Sequence, residues 1–267
     1  MLAHSRRKMD STSQPGLAQA GVASAIRQFW SEQAARKGAI TATGSLLAAL
    51  WEFVRDSTPA RQRQRFGDAD YDWDYRVNTT SGAVAWRDRL LGVFHSPYQP
   101  TDPALFREML DALAEQARIS LSDFTFVDLG SGKGRTLLMA SDYPFRRILG
   151  VELLPSLNRL AQENLRAYKS DSQKSFTLKA VCGDATTFAL PEEPLVIYLF
   201  NPFPEPGMRR FLLGLQQSLE ARPRAVYVLY HNPQLEPVLS ECAGLRKIGG
   251  THQYSLFAGG SKAGGKR

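Results

Sequence analysis

Cys182 and Cys242 are the only cysteines in 267 residues. They form no CxxC pair and stand at no metal-ligand spacing to the four histidines. That pattern argues against a disulfide framework and against a structural zinc site, and leaves two free thiols. No apolar run reaches the ~18 residues of a membrane span. The basic start, MLAHSRRKMDSTSQPG, is followed by no apolar segment of signal-peptide length. Internal repeats are also lacking. Together these absences point to a cytoplasmic globular chain with no membrane partner, and leave its oligomeric state open.

What is present is ordinary for a folded domain: 43% hydrophobic, 22% charged and 10% aromatic residues. The length suits one large domain, or a domain with a small extension, able to bury its core without covalent staples. Lysine and arginine number 33 against 26 acidic residues, a formal charge of +7. That excess tolerates an acidic partner, RNA included, although part of it lies in Arg6-Arg7-Lys8 and in the segment from Lys262 to Arg267.

Residues 1–16 and 259–267, rich in Ser, Gly, Gln and Lys, are expected to be disordered tails. Residues 17–95 are expected to form an N-terminal helical extension. Within it Val22, Ile26, Phe29 and Trp30, and then Leu46, Leu47, Leu50, Trp51 and Val54, recur at helical spacing. The aromatic and acidic stretch from Phe66 to Tyr75 follows no period. Residues 96–258 are expected to form the main domain, and from Asp102 the pattern becomes regular. A helix is expected over 103–117, with Asp102 as N-cap and proline in the first turn. Strands over 124–129, 147–152, 176–182, 195–200 and 225–230 alternate with helices over 134–141, 155–169 and 208–220. Two last strands are expected near 245–248 and 253–258. The fourth strand, Leu195-Val-Ile-Tyr-Leu-Phe200, is continuously apolar and is expected at the sheet centre. Strands alternating with helices imply an α/β fold with a mostly parallel sheet.

The strongest chemical signal is Phe126-Val-Asp-Leu-Gly-Ser-Gly-Lys-Gly-Arg135. A buried strand enters a glycine-rich turn that opens a helix, so backbone amides can approach an extended ligand at the carboxyl ends of the strands. Only Gly132-Lys133 fits a P-loop, because Gly134 stands where Ser or Thr is needed. A dinucleotide turn reads GxGxxG, whereas these glycines are Gly130, Gly132 and Gly134. Two further strands end in acids. Glu152 follows Asp128 by 24 residues, and a carboxylate there can accept a ribose diol or cap a helix. Asp184, in Cys182-Gly-Asp-Ala185, ends the third strand.

The GxGxG spacing after hydrophobic-Asp-hydrophobic resembles motif I of class I S-adenosylmethionine-dependent methyltransferases. The resemblance implies a Rossmann-like seven-stranded, mostly parallel sheet of order 3-2-1-4-5-7-6, with helices on both faces and the seventh strand antiparallel. It implies S-adenosyl-L-methionine as cofactor. Asp128, Gly130, Ser131, Gly132 and Gly134 would line the turn, Glu152 would hold ribose, and Asp184 with Ala185 would hold adenine. Tyr198-Leu-Phe-Asn-Pro-Phe-Pro204 falls where the family places its methyl-transfer motif. There Asn201 and Phe203 are the catalytic candidates; Asn201 could alternatively cap the helix that follows. Phe203 replaces the second proline of (Asn/Asp)-Pro-Pro-(Tyr/Phe), a departure from methyltransferases that modify planar nitrogens. His95-Ser-Pro-Tyr-Gln-Pro-Thr101 is similar to the loop before motif I in seven-stranded protein-lysine methyltransferases, which would set Tyr98 and Thr101 beside the methionine end of the cofactor. Residues 74–82 also resemble a segment of uncharacterised bacterial methyltransferases.

His231, at the end of the fifth strand, could serve as an acid or base or as a turn residue, and Cys182 reads as a packing residue. The resemblance covers about residues 95–258 and implies a methyl-acceptor substrate, with a protein lysine amine favoured. An RNA or small-molecule methyltransferase, an NAD(P)-binding oxidoreductase and a non-catalytic cofactor-binding scaffold remain as alternatives.

Overall fold

The computed structural model describes residues 69–79 and 100–260, with scattered positions between residues 27 and 47. The described positions from 27 to 35 and from 39 to 47 are helical, broken at Gly38, which takes a left-handed φ of +83°. Tyr98, the rest of the extension and the expected tails at 1–16 and beyond Gly260 lie outside the described residues.

In chain order the elements are α1 (Ala69–Tyr75), α2 (Pro103–Ala117), β1 (Thr125–Leu129), α3 (Arg135–Ala140), β2 (Arg147–Glu152), α4 (Pro155–Ala167) and β3 (Leu178–Cys182). They continue as β4 (Leu195–Leu199), α5 (Glu205–Ala221), β5 (Val226–His231), α6 (Glu236–Ser240), β6 (Leu245–Gly250) and β7 (Tyr254–Gly259). The strands form one sheet of order β3-β2-β1-β4-β5-β7-β6. All neighbours from β3 to β5 pair in parallel, and β7 runs antiparallel to both β5 and β6. This is the topology the resemblance implied.

Most element ends fall within two residues of the sequence reading, and the larger or more telling differences have physical reasons. Helix α5 begins at Glu205, three residues early, because Pro206 is tolerated in a first turn that needs no amide partner. Strand β7 runs through Gly259, so the sheet takes in the first residue expected of the tail. The short helices α1 and α6 were not expected; neither is long enough to show a period.

Alternation along the strands divides the core into two layers. Phe126, Ile148, Val196, Tyr198 and Leu229 face α2, α3 and α4. Val127, Leu129, Ile197, Leu199 and Val228 face α5 and α6. Helix α2 supplies Phe106, Met109, Leu110 and Leu113, and α5 supplies Met208, Phe211, Leu212 and Leu215. Both sets follow the i, i+3, i+4, i+7 spacing that puts one stripe on the sheet. All five residues of β4 are buried, as its continuous apolar run and central place require.

Candidate cofactor site

The site begins where β1 ends. Gly130, Gly132 and Gly134 have φ of +88°, +52° and +81°, a region that costs any other residue strain. Space adds a second constraint. A Cβ on Gly130 would lie 2.8 Å from the Pro202 side chain, and one on Gly134 would lie 3.2 Å from that of Ala161. The amides of Gly130 and Ser131 both donate to the carbonyl of Val151, at 2.8 and 3.1 Å, which ties the turn to the end of β2. The Ser131 hydroxyl is buried without a protein partner. Helix α3 has only six residues, so its dipole adds little, and the amides of Gly130, Ser131, Gly132 and Gly134 are already used within the protein.

Two carboxylates organise this turn. Glu152, closing β2, is buried; one oxygen accepts from the Gly132 amide and the other from the Leu154 amide, each at 2.8 Å. It therefore braces the turn and the entry to α4 at once. Asp128 is buried within β1 and accepts from the Thr136 hydroxyl. Burial pushes its carboxyl up to about 7, with the nearby Glu152 charge adding to the rise. Asp128 thus shapes the turn from beneath.

Asp184 follows β3. Its Oδ1 accepts from both the amide and the hydroxyl of Thr186, each at 2.8 Å, a local arrangement that fixes the carboxylate and leaves Oδ2 available to an amino group. Ala185 packs beside Phe188 and Leu190 against the core layer of α5. Cys182, opposite Glu152 in the β2–β3 register, is exposed, and burial followed by the Glu152 charge raises its thiol pKa. The packing role expected of it does not hold, because the side chain is exposed; the raised pKa disfavours the thiolate.

At the end of β4 the structure departs from the simplest expectation. Asn201 has a left-handed φ of +44°, and its side chain turns toward β5. Its amide donates to the Asn232 carbonyl and its carbonyl accepts from the Tyr230 hydroxyl, each at 2.8 Å. It does not cap α5, whose N-cap is Pro204. Asn201 therefore locks the β4 and β5 loops together. The Phe203 ring packs 6.0 Å from Phe211, and Gly207 leaves room for its Cβ. Thr101 is buried, and its hydroxyl bonds Tyr198 at 2.8 Å. Its side chain thus fixes the loop before α2 to the sheet.

The Tyr198 hydroxyl also meets His231 Nδ1 at 2.8 Å, and the imidazole stacks on Phe200 with centroids 3.9 Å apart. Burial lowers the His231 pKa to about 4, against an opposing pull from Asp102, so the ring is neutral at pH 7. The relay Thr101–Tyr198–His231 escaped sequence reasoning because Tyr198 sits inside an apolar run. The only signal was a histidine at a strand end.

Glycine cradle, orphaned Ser131 hydroxyl, buried Glu152 and half-used Asp184 carboxylate lie at the carboxyl ends of three adjacent strands, β1, β2 and β3. These residues fit an adenosyl cofactor: hydroxyl acceptors come first, an amino-group acceptor one strand further out. No group of three or more histidine, cysteine or acidic side chains suited to a metal occurs among the described residues.

No family model and no curated protein matches the chain. Solved structures do align with it. The methyltransferase domain of a bacterial Hen1 protein is 14% identical over 60% of this chain and 100% of its own, with a TM-score of 0.42. An RNA methyltransferase from Salinibacter ruber in complex with S-adenosyl-L-homocysteine is 18% identical over 61% of this chain and 93% of its own, with a TM-score of 0.36. A SAM-dependent methyltransferase from Aquifex aeolicus is 14% identical over 60% and 98%, with a TM-score of 0.41. At such identities and TM-scores these likenesses carry no argument, and the fold rests on the sheet's own order and strand directions. By those, the chain has the seven-stranded α/β sheet, with β7 antiparallel, that the resemblance to class I S-adenosylmethionine-dependent methyltransferases implied.

Proposed function

We propose that the chain transfers a methyl group from S-adenosylmethionine to an amine, a protein lysine first among the candidates. The observation that carries the cofactor half is the set of strand ends: the left-handed glycine turn after β1, Glu152 closing β2 and Asp184 after β3. When bound, the sulfonium supplies an electrophilic methyl group, so the protein's work is to place a nucleophile in line with it. Asn201 holds the loop after β4 rigid, and Phe203 contributes apolar wall. His231 is held by Tyr198 and Phe200 with Nδ1 engaged. In the tautomer with Nδ1 protonated, Nε2 can accept an N–H from a neutral amine and aim its lone pair. An ammonium ion has no lone pair with which to attack, and an imidazole that titrates at about 4 is too weak a base to take its proton, so the proton passes to water before reaction.

The acceptor is tested by incubating the protein with methyl-labelled S-adenosylmethionine and a cell extract, then digesting with protease or nuclease. Label released by protease and absent with Asp184→Ala supports the amine reading. Label released by nuclease, with activity falling steeply as salt rises, would transfer the reading to RNA, which the net charge of +7 would suit.

A further inference from the structure

The aromatic and acidic stretch around α1 and the turn after it dock on the cofactor turn through side chains far away in sequence. Asn164, buried on α4, accepts from the Asn78 amide at 2.8 Å and donates to the Asn78 carbonyl at 3.0 Å. The same Nδ2 donates to the carbonyl of Lys133 at 2.9 Å, the residue between Gly132 and Gly134. Lys133 extends away to Asn78 Oδ1 at 3.2 Å, and its side chain is wholly buried. Arg135, also buried, lies over the Tyr71 ring at 4.5 Å from its centroid. Tyr71 in turn touches Tyr75, and Tyr75 touches Tyr168 at the end of α4.

These contacts matter because Val151 holds only the Gly130 and Ser131 amides, and Ser131 the Gly134 amide, which leaves the peptides between them to other partners. With φ positive at three of five positions, its peptide planes are free to reorient unless something holds them. Glu152 holds the Gly132 amide, and Asn164 holds the Lys133 carbonyl. The second hold is shared: one side chain grips the turn and residue 78 together. Losing the segment would leave the buried Asn164 carbonyl unsatisfied, and would take the Asn78 side chain from Lys133 and the Tyr71 ring from Arg135.

We infer that residues 69–79 are a built part of the cofactor site, with Asn164 as positioning residue, so that docking of this segment and binding of the adenosyl cofactor are energetically coupled. The inference rests on the S-adenosylmethionine reading. Coupling is reciprocal: whatever affinity the docked segment adds for cofactor, cofactor returns as tighter docking.

The probe is S-adenosylhomocysteine, titrated calorimetrically into the full chain at a temperature where circular dichroism shows each variant folded. Asn164→Ala and Tyr71→Leu are expected to weaken binding about tenfold. Tyr71→Phe, which keeps the ring over Arg135, is expected to restore wild-type affinity. In the wild type, cofactor is expected to slow hydrogen exchange at the amides of Asn78 and Thr79. A purely structural role would lower the ligand-free melting temperature and leave the affinity of folded protein unchanged. Affinities within twofold of wild type for both variants, with no change in exchange at Asn78 and Thr79, would overturn the coupling while leaving the cofactor reading intact. A wild type that fails to bind overturns that reading, and the coupling with it.

Discussion

Asp128 carries its proton into the neutral range because it lies inside β1, where burial penalises the charged form. In the unfolded chain its carboxyl ionises near its ordinary value of 3.8; in the folded chain it does so at about 7. The stability it contributes is therefore complete below 3.8 and is lost as pH rises through 7. Asp128→Asn keeps an acceptor for Thr136 and removes the ionisation. Its melting temperature relative to wild type is expected to climb between pH 4 and 7 and to level off above; a pH-independent difference would contradict the burial argument. Asp184 is the opposite case, a partly exposed carboxylate with one oxygen used and one presented. Asp184→Asn retains the Thr186 bonds through its carbonyl, but it offers a donor where an amino group needs an acceptor. A loss of S-adenosylhomocysteine affinity of about tenfold is expected, equivalent to ~1.4 kcal/mol, with the melting temperature of the ligand-free protein unchanged.

Among the elements, the regular ones were legible because their periods are strong. Helix α2 spans the expected residues, with Asp102 Oδ1 accepting the Leu105 amide at 2.9 Å. Asp102→Ala is expected to cost about 1 kcal/mol in chemical denaturation. Leu110→Ala, in the buried stripe of the same helix, is expected to cost about 2–5 kcal/mol. What the sequence concealed were side chains acting across elements. Tyr198 looks like one more apolar residue of β4, yet its hydroxyl joins Thr101 and His231. Asn164 looks like an ordinary polar position on α4, and its partner Asn78 lies 86 residues away. Helix α1 showed no period because its hold on the domain comes from Tyr71 and Tyr75 stacking on Arg135 and Tyr168, not from an apolar stripe. Asn201 was readable as a motif residue, but its engagement with Tyr230 and Asn232 depends on the β4–β5 pairing. Tyr198→Phe leaves Thr101 and His231 Nδ1 without their shared partner, and a loss of about 1–3 kcal/mol in denaturation is expected, with cofactor affinity retained.

Across the whole molecule, the parallel half of the sheet gathers loops at the carboxyl ends of its strands, and Gly130, Gly132, Gly134, Glu152 and Asp184 meet there because the strands run in one direction. The antiparallel β7 closes the other side by burying Leu256 and Phe257, one in each core layer. The glycine turn, Glu152 and Asp184 would be a coincidence of turn chemistry in any fold that scattered their strands. In this sheet they occupy three neighbours in the order β3-β2-β1. Calorimetric titration of the full chain with S-adenosylhomocysteine, in parallel with NAD, tests that convergence most directly, with Glu152→Ala as the control. Micromolar binding of S-adenosylhomocysteine alone, abolished by the substitution, is the expected result. Failure to bind it, or a preference for NAD, would contradict the methyltransferase reading and leave a Rossmann-like fold with another ligand at its strand ends.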